Sequence, residues 1–213
     1  MVRRLVVNVI LVVVLVALIG AVGLVVAVGR EPSFYSDPRL WDSRRLQQGA
    51  EDFTIAMLSQ LGGQKTKGPF ELTFTEAQVN GLVAEALRPE GSSLGFDGPW
   101  LDSLRTIGRQ LKDPRVRFDD GRVLLAGRRN VGPVAVVVNG AIRLEAVDGK
   151  VSSEVEWLRM GLVPGPAGGV EAVLESSLDK CFRKAHARFQ VDGVEVKDRR
   201  MRIWGRRGRR ATS

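Results

Sequence analysis

The side chains best suited to chemistry are sparse in this 213-residue sequence. His186 is the only histidine and Cys181 the only cysteine. A zinc site needs three or four His, Cys or carboxylate ligands, and a nucleophilic triad needs a histidine beside its nucleophile and an orienting acid. Cys181 falls at an apolar position of a helical pattern, which favours a small buried residue over a nucleophile. We therefore expect no metal site, no catalytic triad and no cofactor.

Carboxylates and glycines are more numerous, but neither forms a recognisable site. A catalytic carboxylate pair is defined by its separation in space, so an envelope hydrolase that uses carboxylates stays open as a less favoured alternative. The stretch from Gly161 to Gly169 lacks the Gly-Lys-Ser/Thr ending of a phosphate-binding loop and the G-x-G-x-x-G pattern of a dinucleotide site. We predict a plain loop there, and a protein that is not an enzyme.

Asn80 is the one polar side chain that local folding patterns leave unexplained. It stands in line with Val83 and Leu87, beside the apolar face of a predicted helix. In a structural role it would bond a neighbouring backbone, because a buried amide without partners costs a few kcal/mol. In a functional role it would line an apolar groove with Val83, Leu87 and Trp157, and would bond the polar end of a ligand. We favour the structural role and keep the groove as the candidate ligand site.

The chain around Asn80 passes directly from a strand into a helix. Apolar and polar residues alternate from Phe70 to Thr75, which is the period of a half-buried strand. Thr75 and Gln78 then match the capping box, in which each side chain bonds the other residue's backbone N–H. The helix that follows carries an apolar stripe and ends before Pro89.

Three further amphipathic helices are indicated by apolar residues spaced three or four apart. They span residues 42–61, 100–111 and 170–189. Gly62-Gly63 ends the first of them and Asp113-Pro114 ends the second. Each helix needs a surface on which its apolar stripe can pack.

Antiparallel hairpins account for the rest of the chain. Asp120-Gly121 and Asp148-Gly149 are preferred two-residue hairpin turns, and a third hairpin is expected across residues 197–200. The apolar pairs that these turns predict are Val116 with Leu125, Phe118 with Val123, Ala146 with Val151, Ile142 with Val155, Gly140 with Trp157, Val194 with Ile203 and Val196 with Met201. Residues 115–158 therefore read as a curved antiparallel meander with one apolar face.

The N-terminal segment predicts a membrane anchor. Residues 5–28 carry no charge and, as a helix rising about 1.5 Å per residue, would span about 36 Å, enough to cross a bilayer core. Arg3 and Arg4 precede them, which places the N-terminus in the cytoplasm and the remainder outside. A cleaved signal peptide is the alternative, since residues 27–29 form a small-x-small site, but the apolar region of a signal peptide is usually shorter.

The net charge of +8 is concentrated at the ends of the chain. Residues 197–213 carry a net +7, whereas residues 5–196 sum to −1. Nucleic-acid binding would need basic and aromatic residues on a folded face, so we expect no nucleic-acid partner. We expect an anionic surface, either the membrane or an envelope polymer, to be contacted by Arg206, Arg207, Arg209 and Arg210. A solvated, disordered basic tail is the alternative.

Several segments together resemble the YpmS-like family of small membrane-anchored bacterial proteins. The matching pieces are the N-terminal anchor, "LTFTEAQVNGLVAE" with Asn80, "VRFDDGRVLLAG", "LEAVDGKV" and "MGLVPGP". The pattern is also similar to tubular lipid-binding envelope proteins, and that likeness implies an apolar ligand. The arginine tail departs from the YpmS-like pattern.

We therefore predict an α+β protein with an N-terminal transmembrane helix, followed by one domain in which amphipathic helices pack on a curved antiparallel sheet. The expected divisions are residues 1–4 in the cytoplasm, 5–28 in the membrane, 29–41 as a stalk, 42–205 as the extracytoplasmic domain and 206–213 as a basic tail. The expected function is non-enzymatic binding of a lipid or other apolar ligand. A protein–protein scaffold of the cell envelope is the alternative.

Overall fold

The computed structural model describes residues 29–40, 42–61, 68–88, 111–132, 134–164 and 189–207, together with Ile19, Ala27, Arg105, Thr106, Arg109 and Ser176. Across these residues, no helix is both long enough and apolar enough to span a bilayer. The expected anchor lies almost entirely outside them. The predicted helices at 100–111 and 170–189 also lie largely outside the described ranges, as do Cys181 and His186.

The described part of the chain is an α+β structure with two antiparallel sheets. A five-stranded sheet contains β2 (Lys112–Asp119), β3 (Arg122–Val131), β4 (Val134–Val147), β5 (Lys150–Met160) and β6 (Val163–Pro164), in that order. A three-stranded sheet contains β1 (Gly68–Thr75), β7 (Phe189–Lys197) and β8 (Arg200–Arg207), with β8 in the middle. The α+β class is confirmed, and the single predicted sheet is replaced by two.

Pairing between distant strands creates the second sheet. β1 pairs with β8 along its whole length, from Gly68 opposite Arg207 to Thr75 opposite Arg200. More than 120 residues separate these strands in the sequence, and no local pattern marks the pairing. The hairpin of β7 and β8 has the predicted register near its turn, with Val194 opposite Ile203 and Val196 opposite Met201, and its register shifts between Val191 and Gly193.

The β4–β5 hairpin follows the predicted register only near its turn. Ala146 lies opposite Val151 and Ile142 opposite Val155, as expected, but Trp157 lies opposite Ala141 and not opposite Gly140. The correction has a physical cause: Glu156 is an extra residue in β5, so the strand contains a β-bulge that shifts every later pair by one.

Two helices pack against these sheets. Helix α1 (Ser43–Leu61) and helix α2 (Glu76–Ala86) both fall where the sequence predicts them. The capping box of Thr75 and Gln78 is present at the start of α2. Phe53 of α1 stacks on Phe74 of β1, with ring centroids 5.0 Å apart. Phe189, which was predicted to belong to the last helix, instead begins β7.

The apolar core lies between the two sheets. Residues from β1, β4, β5, β7 and β8 form one cluster, with Phe70, Val151 and Val191 at its centre. A second cluster joins β2 to β7 and α2 through Val116 and Val196. Burying these side chains provides the main driving force for packing the sheets.

The segment predicted to be a stalk packs on the outer face of the five-stranded sheet. Phe34 and Tyr35 are buried there, against Leu124 and Ala126 of β3 and Val137 of β4. These two aromatic rings therefore attach the described part of the expected stalk, residues 29–40, to the sheet. The sequence reading missed this because two isolated aromatic residues have no periodicity.

Candidate functional site

Asn80 lies at the edge of the five-stranded sheet, where α2 covers strand β2. Its side chain is 1% exposed. The Asn80 amide nitrogen donates to the carbonyl of Val116 at 2.7 Å, and its oxygen accepts from the N–H of Val116 at 2.8 Å. The same nitrogen also donates to the carbonyl of Glu76 at 2.9 Å. These bonds occupy both donors of the amide and match the structural role considered for Asn80.

A second side chain of α2 continues this edge contact. The carboxylate of Glu76 accepts a hydrogen bond from the N–H of Phe118 at 2.8 Å. Phe118 lies two residues after Val116 on the same edge of β2. Burial raises the pKa of Glu76, while the hydrogen bond from Phe118 and the charge of Arg199 act in the opposite direction. The free edge of β2 is thus bonded by side chains of a helix, which prevents it from pairing with another strand.

The four residues of the expected apolar groove are not brought together. Asn80 and Val83 are on the buried side of α2, and Leu87 lines a separate cleft at the end of that helix. Trp157 lies on β5, which β3 and β4 separate from β2 by about 14 Å at a strand spacing of about 4.8 Å. The ring of Trp157 is covered by the guanidinium of Arg159, 4.8 Å from its centroid.

The cleft at the end of α2 has a volume of about 750 Å³. It lies between the last turn of α2, the helical residues Arg105 and Arg109, and the start of β2. Its basic lining residues are Arg88, Arg105, Arg109, Lys112 and Arg115. Its apolar lining residues are Ala84, Ala86, Leu87 and Leu111. Asp113 is the one carboxylate among the described residues that line it. We call this feature the basic cleft.

Local contacts hold several of these cations in place. Arg115 is buried and donates to the carbonyl of Pro114 at 2.8 Å. Burial lowers the pKa of Arg115, and the nearby charge of Asp113 partly offsets that effect. Arg88 forms an ion pair with the buried carboxylate of Glu85 at 3.0 Å. Arg109 and Lys112 are exposed, so they can turn towards a ligand.

The electrostatic balance of the basic cleft favours an anion. Among the described residues that line it, five are cationic and one is a carboxylate, and cations remain in excess after Arg88 is paired with Glu85. The C-terminal end of α2 adds a partial negative charge of about half an elementary charge, which the cations outweigh. The arrangement can bind an anionic group.

The start of β2, which forms one wall of the basic cleft, is irregular. Asp113 has a positive φ of 49°, and the β2–β3 register shifts between Lys112 and Arg115. The hydroxyl of Tyr35 donates to the carbonyl of Asp113 at 3.1 Å. This bond ties the basic cleft to the segment that follows the N-terminal apolar run.

Sequence reasoning did not find the basic cleft, although one signal was present. Arg105 and Arg109 are four apart, so they share one side of the helix predicted over residues 100–111, and Lys112 follows that helix directly. The apolar residues alone predict the helix, and the basic residues on its other side add no helical signal. Arg88 and Arg115 have no such spacing, since the fold alone brings them to the same place.

The first two residues of the predicted basic tail belong to a strand. Strand β8 continues to Arg207, and Arg206 forms an ion pair with Asp192 of β7 at 3.4 Å. Arg209 and Arg210 lie outside the described residues. Contact of these four arginines with an anionic surface stays a prediction.

Glu156, the bulge residue of β5, lies between Arg122 at 2.7 Å and Arg143 at 2.5 Å. Among the described residues, no group of three or more His, Cys, Asp or Glu side chains is arranged to hold a metal ion.

Comparisons with protein-family models, with curated proteins and with solved structures found no match for this chain. The resemblance to YpmS-like proteins therefore stays a prediction from short motifs.

Proposed function

We propose that this protein is a non-enzymatic, membrane-tethered extracytoplasmic domain that binds an anionic amphiphile, with the charged group of that ligand in the basic cleft. The observation that carries the proposal is the excess of cationic over acidic side chains among the described residues that line a single cleft, which remains after Arg88 is paired with Glu85. Clefts lined by one sign of charge concentrate ligands of the opposite sign. Arginine is well suited to this role because its planar guanidinium bonds carboxylate and phosphate oxygens in pairs.

The size and walls of the basic cleft favour a ligand with an apolar part. Its volume of about 750 Å³ is within the usual range of about 300–1,000 Å³ for small-molecule sites. Leu87 and Leu111 provide apolar surface beside the cations. A lipid headgroup could lie among the arginines while the first carbons of its chains contact these leucines.

The position of the cleft along the chain supports a ligand from the membrane. Asp113, in the wall of the cleft, is bonded to Tyr35, which is only eight residues after Ala27 near the end of the apolar run. Eight residues reach at most about 29 Å when fully extended. If residues 5–28 span the bilayer, the cleft therefore lies within reach of lipid headgroups.

The less favoured alternatives have weaker support. A carboxylate-dependent hydrolase needs a second acid, and Asp113 is the only one among the described lining residues of the cleft. An envelope scaffold is favoured by a different observation: Ile55 and Leu58 are exposed, one turn apart on α1. A pair of exposed apolar side chains is a small surface for a protein partner.

The test is a calorimetric titration of the full-length chain in a neutral detergent. The probe is short-chain phosphatidylglycerol, compared with phosphatidylcholine of the same chain length and with glycerol phosphate. We expect phosphatidylglycerol to bind more tightly than either comparison ligand. If phosphatidylglycerol and phosphatidylcholine bind equally tightly, the cleft is not an anion site. If glycerol phosphate binds as tightly as phosphatidylglycerol, the ligand is a free phosphate compound and not a lipid.

Charge-reversal variants locate the binding. Arg109→Glu combined with Lys112→Glu changes two exposed lining residues, and we expect it to weaken binding by about tenfold or more, at about 1 kcal/mol per cation. Lys150→Glu combined with Lys197→Glu is the control, since both lysines are exposed and neither lines the cleft. Equal loss in the two double variants would show that only net charge matters and would reject the cleft as the site.

A further inference from the structure

The turn between β5 and β6 presents an exposed leucine next to the end of the N-terminal apolar run. Leu162 is 54% exposed. Its backbone N–H donates to the carbonyl of Ala27 at 2.9 Å. Ala27 is the penultimate residue of the 24-residue uncharged run, so this hydrogen bond fixes the turn beside the place where that run ends.

Other hydrogen bonds brace the turn in this position. The N–H of Gly161 donates to the carbonyl of Val137 at 2.7 Å. The side-chain amide of the buried Asn139 donates to the carbonyl of Gly161 at 3.1 Å. Gly161 has a φ of +59°, which glycine adopts without strain. These bonds hold the backbone of the turn in a position where the side chain of Leu162 is exposed.

Strand β5, which precedes this turn, carries two side chains of kinds that are commonly found at the membrane–water interface. Trp157 is half-buried, and the exposed Arg159 covers its ring. Tryptophan is enriched where headgroups meet hydrocarbon, because its ring is largely apolar and its N–H is polar. An arginine beside it can contact lipid phosphates while its aliphatic stem lies along apolar groups.

We propose that Trp157, Arg159 and Leu162 form a membrane-contact patch that lies in the headgroup region of the bilayer beside the anchor. The proposal rests on the tether in the proposed function, and it is independent of the basic cleft. If the apolar run crosses the bilayer, Ala27 lies at its outer boundary, and a residue bonded to the Ala27 backbone must lie at the same depth. The exposed side chain of Leu162 then enters lipid instead of water.

The patch sets the orientation of the domain on the membrane. Strand β5 contains 11 residues and is about 36 Å long at about 3.3 Å per residue. The Asp148-Gly149 turn at its other end, with the exposed Val147, is therefore expected to lie well away from the bilayer. One end of β5 touches lipid and the other faces water.

The test uses nitroxide labels on the full-length chain in vesicles of phosphatidylcholine and phosphatidylglycerol. Cys181→Ala removes the only native thiol. Leu162→Cys then places the label in the patch, and Val147→Cys places it at the far turn, where a similarly exposed apolar residue is replaced. The accessibility of each label to oxygen, which partitions into lipid, and to a water-soluble nickel chelate is measured by electron paramagnetic resonance.

In vesicles, we expect the label at residue 162 to be much less accessible to the nickel chelate and more accessible to oxygen than the label at residue 147. The label at residue 147 should stay accessible to the nickel chelate. If both labels are equally accessible to nickel in a chain that floats with the vesicles, the patch is wrong and the tether stands. A chain that fails to float overturns both the tether and the patch. Lipid binding by the basic cleft, measured separately in detergent, is unaffected by either result.

Discussion

The side-chain amide of Asn80 pairs with the backbone of Val116 as a residue on a neighbouring strand would. One hydrogen bond runs in each direction, at 2.7 and 2.8 Å. Val116 already faces Leu125 of β3 on its other side, so Asn80 completes the bonding of an edge residue that would otherwise be open. A helix side chain thereby joins α2 to the five-stranded sheet.

Replacing Asn80 with alanine should destabilise the fold strongly. Asn80→Ala leaves the buried N–H and carbonyl of Val116 without partners, at about 1–3 kcal/mol for each group. We expect a loss of about 2–4 kcal/mol, measured by chemical denaturation followed by circular dichroism. Asn130→Ala on β3 is the control, because Asn130 is exposed and should change stability by less than about 0.5 kcal/mol. Similar small effects at both positions would argue against the edge contact.

Local signals in the sequence were sufficient to predict many elements of the fold. The capping box at Thr75 and the Asp-Gly hairpin turns depend on residues a few positions apart, so the sequence displays them directly. The pairing of β1 with β8 depends on the packing of remote segments and leaves no local pattern. The bulge at Glu156 was also missed, because an extra residue in a strand preserves the alternation on either side of it while it shifts the register.

The site was harder to predict than the fold. Asn80 was singled out correctly as a residue with a specific partner, since an amide beside an apolar helical face needs one. Its partner Val116 could not be named, because it lies 36 positions away. The basic cleft combines Arg88, Arg109 and Arg115 from three separate segments, and only the tertiary structure places them around one space.

Substitution of Gly81 should separate the two helices. An added Cβ would lie 2.3 Å from the carbonyl oxygen of Leu46 and 2.4 Å from the backbone nitrogen of Ala50. Gly81→Ala gains about 1 kcal/mol of helix propensity, but overpacking against backbone costs about 1–3 kcal/mol and should dominate. Thermal unfolding is expected to shift to lower temperature. A rise in the melting temperature would mean that α1 and α2 do not cross this closely.

Tyr35 provides a spectroscopic test of the buried segment before α1. It is the only tyrosine in the chain, so its ionisation can be followed by ultraviolet absorbance without interference from others. Burial raises the pKa of Tyr35 to about 12, and the guanidinium of Arg128 partly opposes this rise. We expect a midpoint near pH 12 in the folded protein, against about 10 in denaturant. The stability that neutral Tyr35 contributes should be present below pH 10 and lost as pH rises towards 12.

Tyr35→Phe is the control for that measurement, because it removes the absorbance change while keeping most of the buried ring. It also removes the hydrogen bond to the carbonyl of Asp113, which should cost about 1 kcal/mol. A midpoint near 10 in the folded wild-type chain would mean that the hydroxyl of Tyr35 is exposed to water.

The buried carboxyl of Glu76 should make stability fall as pH rises above the ordinary carboxyl range. Its pKa is raised from 4.5 in the folded state, chiefly by burial, so the folded chain holds this proton over a window where the unfolded chain has released it. Stability decreases with pH wherever the folded state binds more protons. The Glu76 contribution is therefore greatest below pH 4.5 and declines as pH rises through the folded pKa.

Glu76→Gln isolates this contribution because the glutamine oxygen can still accept the hydrogen bond from the N–H of Phe118. The variant has no charge to bury, so its stability relative to wild type should increase between pH 4 and 7, measured as the difference in unfolding free energy at each pH. Glu145→Gln is the control, since Glu145 is exposed on β4 and should leave the difference nearly constant. A difference for Glu76→Gln that shrinks as pH rises would mean that the carboxylate is stabilised by its neighbours more than it is penalised by burial.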